Sequence, residues 1–117
     1  LVSCSKEDEE NTYITQDKEI ETFIQTNFPD CPVVVNGGVS RVTVVETTGK
    51  MAKKGESVSF SYTAYILSSG KGIQFAEGEY ETVLGKGNLL EGLEKGIEGM
   101  KKGEDAYILF SGRYGYR

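Results

Sequence analysis

The segment from residue 80 to residue 103 constrains the fold of this chain more than any other part of its sequence. It has the pattern of a strand end, a glycine turn, a short amphipathic helix over about 89–97 and a second glycine turn. Asn88 is a candidate N-cap, and Gly96 or Gly99 is suited to close the helix in a left-handed conformation. Helical spacing places four apolar residues on one face, which we expect to pack on a sheet: Leu89, Leu90, Leu93 and Ile97.

Strands are predicted on both sides of this helix. Residues 57–67 alternate between apolar and polar, and residues 80–84 and 105–111 read as further strands. Two valine-rich runs, 33–35 and 39–45, flank Asn36-Gly37-Gly38, a strong hairpin signal. The predicted fold is therefore an α+β domain over residues 33–117, in which a twisted antiparallel sheet wraps one short helix.

The preceding residues are predicted to form a helix and a connector over residues 15–32. Apolar residues at helical spacing predict the helix over about 16–27, and Pro29 and Pro32 end it. Residues 5–14 are largely polar and acidic, and they are predicted to be a flexible tether.

Composition narrows the classes of function. The chain has 117 residues, which suits one small domain. Its formal net charge of -5 argues against nucleic-acid binding, because phosphates are neutralised by a basic surface. The sequence contains no His, which excludes His-based triads and most zinc sites. We therefore expect no cofactor and no metal ion, and any catalysis has to proceed without an imidazole base.

The strands and the helix together resemble the FKBP-type peptidyl-prolyl cis-trans isomerases from about residue 41 to residue 117. Members of that family combine Tyr-Thr-Gly at a strand end, a later Phe-Asp, a Leu-Gly turn, a helix with Gly-(Trp or Leu)-Glu, and Met-x-x-Gly-Glu. The matching residues are Tyr62-Thr63, Phe75, Leu84-Gly85, Gly92-Leu93-Glu94, Met100 and Gly103-Glu104. The resemblance implies rotation about X–Pro bonds of proline-containing polypeptides in an apolar pocket, without covalent catalysis.

The resemblance also implies a role for each site residue. Tyr62 forms a pocket wall, Phe75 contacts the proline ring, and the Tyr116 hydroxyl donates to the substrate backbone. The remaining pocket residues are Tyr80, Leu89, Leu90 and Leu93. Taken singly, Tyr62, Leu90 and Leu93 are explained by core packing, and Tyr114 and Tyr116 by an exposed loop. Their joint spacing around one helix favours a pocket.

Departures from the family pattern leave more than one function open. Ala76 replaces the Asp that follows the Phe, which removes a hydrogen-bonding carboxylate. The loop over 75–80 is shorter than in the family, and the chain stops at Arg117, before the family's last strand. We expect a chain shortened at both ends, with residues 33–35 as the only spare strand. The first hypothesis is an isomerase that assists protein folding in the cell envelope, and the alternative is an FKBP-like binding or chaperone module with little activity. A third hypothesis, based only on the N-terminal residues described next, is a surface lipoprotein that binds glycan or host protein.

The first residues resemble the end of a bacterial lipoprotein signal. Leu1-Val2-Ser3-Cys4 is similar to the lipobox, in which the Cys is lipidated after cleavage of the leader. Residues 1–4 are accordingly predicted to be a signal remnant with the lipidation site at Cys4. The acidic run that follows resembles a surface-export signal, and a solvated spacer explains it equally well. We expect a cell-envelope lipoprotein, anchored to the outer membrane through lipid.

Overall fold

The structure is a computed structural model that describes residues 5–68 and 71–115. Within these ranges, residues 5–8, 68, 71–73 and 75 are described by their backbone alone. Two helices, five strands and one 3-10 turn form in these ranges. In chain order they are α1 (Ser5–Asn27), β1 (Val33–Asn36), β2 (Val39–Val45), β3 (Ser57–Ser68), β4 (Lys71–Val83), α2 (Glu91–Ile97), β5 (Asp105–Leu109) and the 3-10 turn (Gly112–Tyr114). This architecture confirms the predicted FKBP-like α+β fold with an N-terminal helix.

The strands form two antiparallel sheets. One has three strands in the order β1-β2-β5, and the other is the long hairpin of β3 and β4. The predicted turn between β1 and β2 is confirmed, because Gly37 and Gly38 have φ of 57° and 90°, which suits a tight two-residue hairpin. Residues 33–35 were the one spare strand that could have filled a gap beside β5. They pair with β2 instead, as strand β1.

The three-stranded sheet lies between the two helices. Tyr107 of β5 packs on Phe28, just after α1, with ring centroids 4.8 Å apart. The next residue, Ile108, lies against α2, as expected from the alternation of side chains along a strand. The most deeply buried apolar side chains belong to this sandwich and to the junction with the hairpin: Val39, Val42, Leu84 and Ile97.

Helix α2 sits unusually close to the sheet because two of its residues are glycines. A Cβ atom on Gly92 would overlap the ring of Phe110, and one on Gly96 would overlap Ile108. The predicted apolar residues Leu89, Leu90 and Leu93 are only half-buried. The contact with the sheet therefore relies on the glycines and Ile97 more than on the leucines.

The ends of α2 differ in part from the prediction. Leu90 is the N-cap and makes no side-chain capping bond, so the proposed Asn88 cap is wrong. The Asn88 side chain donates instead to Thr82 Oγ1, at 3.2 Å. Gly99 follows the helix with φ of 93°, the left-handed conformation that was expected at Gly96 or Gly99.

Helix α1 begins at Ser5, much earlier than predicted. Residues 5–14, predicted as a flexible tether, form its first half instead. The physical reason is tertiary contact, because Glu10 binds Arg113 and Tyr13 is buried. Within residues 5–68 and 71–115, no helix combines the length and the hydropathy needed to cross a membrane. Cys4 and its proposed lipidation lie outside the described residues.

Candidate active site

Three aromatic rings form a row on one face of the β3–β4 hairpin. Phe60 lies opposite Tyr80 in the register of the two strands, and their ring centroids are 6.0 Å apart. Tyr62, two residues further along the same face, has its centroid 6.2 Å from that of Phe60. Tyr62 and Tyr80 remain 37% and 40% exposed, so the row is accessible to a ligand.

A glycine lies opposite Tyr62 at this end of the row. Tyr62 pairs with Gly78, and a Cβ atom at Gly78 would lie 3.5 Å from the tyrosine ring. The groove beside them has a volume of about 420 Å³ and is lined by Ser61, Tyr62, Thr63, Glu77, Gly78 and Glu79. The groove is wide open to solvent and is not an enclosed pocket.

The predicted leucines lie around the start of α2, at the other end of the row. The turn before the helix is held by Glu94, whose Oε1 accepts the backbone N–H of Gly85 at 2.8 Å. Leu89, Leu90 and Leu93 are half-buried. The backbone N–H of Leu90 finds no acceptor in the described part of the chain, so it is available to a substrate carbonyl.

One hydrogen bond links these two groups of predicted residues. Thr82 lies on the same face of β4 as Tyr80, by strand alternation, and it accepts from the side chain of Asn88. Asn88 directly precedes the leucines. Among the side chains that the structure describes, no ring contact or hydrogen bond joins the aromatic row to Leu89, Leu90 or Leu93 directly.

Of the predicted catalytic residues, Phe75 is described by its backbone alone, and Tyr116 is not among the described residues. The backbone of Phe75 lies in β4 where the register with β3 shifts, between the pairs Ala64–Ala76 and Tyr65–Gln74. Tyr114, a neighbour of Tyr116, belongs to the 3-10 turn and lies beneath the Lys95 ammonium, 4.8 Å from the ring centroid.

Sequence reasoning missed the part played by Phe60 and Gly78. Phe60 was recognised as a strand residue but not as the ring that connects Tyr62 with Tyr80. The available signal was its spacing of two residues from Tyr62, which puts both on one face of a strand. Gly78 gave a weaker signal, because a glycine within a strand marks a place where something approaches closely.

Two side chains in the described residues have clearly shifted pKa values, and each pKa is shifted further from neutral pH. The Lys50 ammonium, 3.0 Å from the Glu56 carboxylate, lowers the pKa of Glu56 below its ordinary 4.5. The Glu10 carboxylate, hydrogen-bonded to the Arg113 guanidinium, raises the pKa of Arg113 above its ordinary value. In this part of the chain, no three acidic, Cys or His side chains come together to hold a metal ion.

The sequence of this chain matches known proteins over the same strands and helix. The model of the family described as FKBP-type peptidyl-prolyl cis-trans isomerase matches residues 48–117. The chain belongs to this family, whose members are enzymes that act on proline-containing substrates. It is 34% identical over 87 residues to FK506-binding protein 1B of Neurospora crassa, covering 68% of this chain and 77% of the relative. It is 29% identical over 85 residues to FK506-binding protein 1 of Gibberella zeae, with the same coverage of both chains.

Proposed function

We propose that this chain isomerises X–Pro bonds on the aromatic row and the adjoining start of α2. The observation that carries the proposal is the accessibility of Tyr62 and Tyr80 beside Phe60, on a hairpin within the family match. A proline ring is compact and apolar, and exposed aromatic rings offer it a surface from which water is displaced. The other predicted pocket residues, Leu89, Leu90 and Leu93, extend that apolar surface.

The chemistry needs no acid, base or nucleophile. The barrier to rotation about a peptide bond is about 18–20 kcal/mol because rotation breaks amide resonance. A twisted amide carries less charge on its oxygen, so an apolar surface favours it over the planar ground state. The N–H of Leu90 and the hydroxyl of Tyr116 hold the substrate backbone in place. Phe75 contributes the contact with the proline ring.

Isomerisation of short proline peptides, measured in a protease-free assay, tests this assignment. We expect Phe75→Ala and Tyr116→Phe each to lower kcat/KM by about tenfold, the effect of losing one apolar contact or one hydrogen bond at the transition state. Tyr65→Phe is a matched control, because Tyr65 is exposed and points to the opposite face of β3 from Tyr62. A chain that does not accelerate isomerisation would favour the binding-module alternative. Equal activity in all three variants would refute the assigned residues.

We further propose that the protein works in the cell envelope, anchored through a lipid on Cys4. The support is the lipobox-like Leu1-Val2-Ser3-Cys4 ahead of an acidic segment. In its native host, we expect mass spectrometry to find lipid on Cys4 and Cys4→Ser to move the protein out of the membrane fraction. Cys31→Ser is the control, since Cys31 is a free, half-buried thiol. An unmodified Cys4 in the native protein would contradict the anchor.

A further inference from the structure

The 3-10 turn Gly112–Tyr114 lies two residues before Tyr116 and is held by the N-terminal helix. Gln16 of α1 accepts the backbone N–H of Gly112 through its Oε1, at 2.7 Å. Without this acceptor the N–H would lack a partner, because the first amides of a helical turn have none within the turn. The contact spans 96 residues of sequence.

An ion pair and a stacked ring reinforce this contact. The Arg113 guanidinium donates two parallel hydrogen bonds to the Glu10 carboxylate, of which Nη1 to Oε1 measures 2.7 Å. The same guanidinium lies 5.1 Å from the centroid of the Tyr13 ring. Tyr13 is buried and packs against Gly112. Three side chains of α1 therefore converge on two residues of the turn.

The opposite side of the turn is fixed by the body of the domain. Tyr114 packs against Gly38 in the β1–β2 turn so closely that a Cβ atom there would overlap its ring. Phe110, just before the 3-10 turn, covers Gly92 of α2. The turn is thus held between α1 on one side and the three-stranded sheet with α2 on the other.

Helix α1 lies outside the part of the chain that matches the family, residues 48–117. We propose that α1 is a positioning element for the isomerase site, in which Gln16 and Glu10 fix the 3-10 turn and thereby the point from which the chain continues to Tyr116. This role rests on the proposed function of Tyr116. A hydroxyl that donates to the substrate backbone in the transition state is more effective when the segment that carries it starts from a fixed position.

Because the ion pair between Arg113 and Glu10 is exposed, a role in positioning the turn can be distinguished from simple stabilisation of the fold. The side chains of Arg113 and Glu10 are 27% and 50% exposed, and exposed pairs contribute little to the free energy of unfolding. A purely structural contact of this kind would leave catalysis unchanged when it is removed. A positioning contact lowers kcat/KM at nearly constant melting temperature.

The test compares substitutions of two glutamines on the same helix. Gln16→Met keeps the length of the side chain and removes the acceptor, and Gln16→Glu restores an acceptor oxygen. Gln25→Met is the matched control, because Gln25 is exposed on α1. We expect Gln16→Met to lower kcat/KM by about three- to tenfold, the effect of one hydrogen bond. Gln16→Glu and Gln25→Met should stay near the unmodified protein, and exchange of the Gly112 amide should accelerate in Gln16→Met alone.

The outcomes separate this inference from the proposed function. An unmodified chain without isomerase activity would refute the proposed function. An active chain in which Gln16→Met and Gln25→Met have the same kcat/KM would refute the positioning role alone. Equal losses in Gln16→Met and Gln16→Glu would also refute it, because the acceptor would then not be the cause.

Discussion

Ala76 is the single residue at which this chain departs most from the chemistry of its family. It pairs with Ala64 in the hairpin register, and strand alternation puts both on the face that carries Tyr62. Ala76 is therefore diagonal to Tyr62 across the two strands, a separation that a longer side chain can bridge. The carboxylate found here in the family would reach the tyrosine or the substrate, and a methyl group does not. In the proposed site, Ala76 therefore adds to the apolar surface and supplies no polar contact.

Restoring the carboxylate should raise activity. We expect Ala76→Asp to increase kcat/KM by about tenfold, since a charge-assisted hydrogen bond contributes about 1.5–3 kcal/mol and part of that is offset by desolvation. Ala76→Asn is the control, because it has the same shape without the charge and should gain less. Protease-free isomerisation kinetics measure both. No gain in Ala76→Asp at unchanged melting temperature would show that the missing carboxylate does not limit this enzyme.

At the scale of elements, the sequence predicted those whose signals are local. The β1–β2 hairpin follows from Asn36-Gly37-Gly38, and the two glycines have the positive φ angles that such a turn requires. The presence of α2 follows from its apolar spacing. Its close packing on the sheet was not predicted, although two glycines one helical turn apart, Gly92 and Gly96, indicate that a helix can approach its neighbour closely.

The elements that were predicted too short depend on distant partners. The first half of α1 is polar and has no strong apolar periodicity, and its contacts are with residues about 100 positions away. Residues 71–79 are rich in Gly, Glu and Lys, which are poor strand formers, yet they extend β4 by pairing with β3. Tertiary context outweighed local propensity in both cases. For the site, Tyr62 and Tyr80 were identified through the family resemblance, whereas Phe60 became evident only from the ring geometry.

Burial and hydrogen bonding fix both ends of α2. Arg41 of β2 donates through Nη1 to the carbonyls of Gly96 and Glu98, which are otherwise unpaired at the helix end. Glu104 lies 3.5 Å from Arg41 Nε and also accepts from Thr43. At the other end, Glu94 holds the turn before the helix. These hydrogen bonds fix the helix that begins at Leu90, and in the proposed function its backbone N–H is a substrate-binding group that gains from a fixed position.

The whole molecule separates an exposed aromatic surface from a packed sandwich of helix, sheet and helix. The two parts meet at Leu84, which is 1% exposed and whose backbone exchanges hydrogen bonds with Gly55 and Glu56. The hairpin carries the exposed aromatic row, while the sandwich holds α2 through Gly92 and Gly96 and the 3-10 turn through Gly38.

The activity of the whole molecule should be nearly independent of pH between about 6 and 8. The sequence contains no His, the one side chain whose ordinary pKa lies in this range. The lowered pKa of Glu56 means that its contribution to stability is present above about 4.5 and is lost as the pH falls through the folded value. The raised pKa of Arg113 means that its contribution to stability is present below its ordinary pKa and is lost only as the pH rises through the still higher folded value. Neither shift reaches the neutral range.

Profiles of kcat/KM and of melting temperature against pH test this expectation. We expect kcat/KM to change by less than about twofold from pH 6 to 8, because the sequence contains no His, the side chain whose ordinary pKa lies in this range. The Glu56→Gln variant should lose the acid-side dependence that Glu56 contributes to stability and keep the flat activity profile. A sigmoidal or bell-shaped activity profile with a midpoint inside this range would contradict a mechanism without proton transfer. It would require a titrating group that the aromatic row and α2 do not supply.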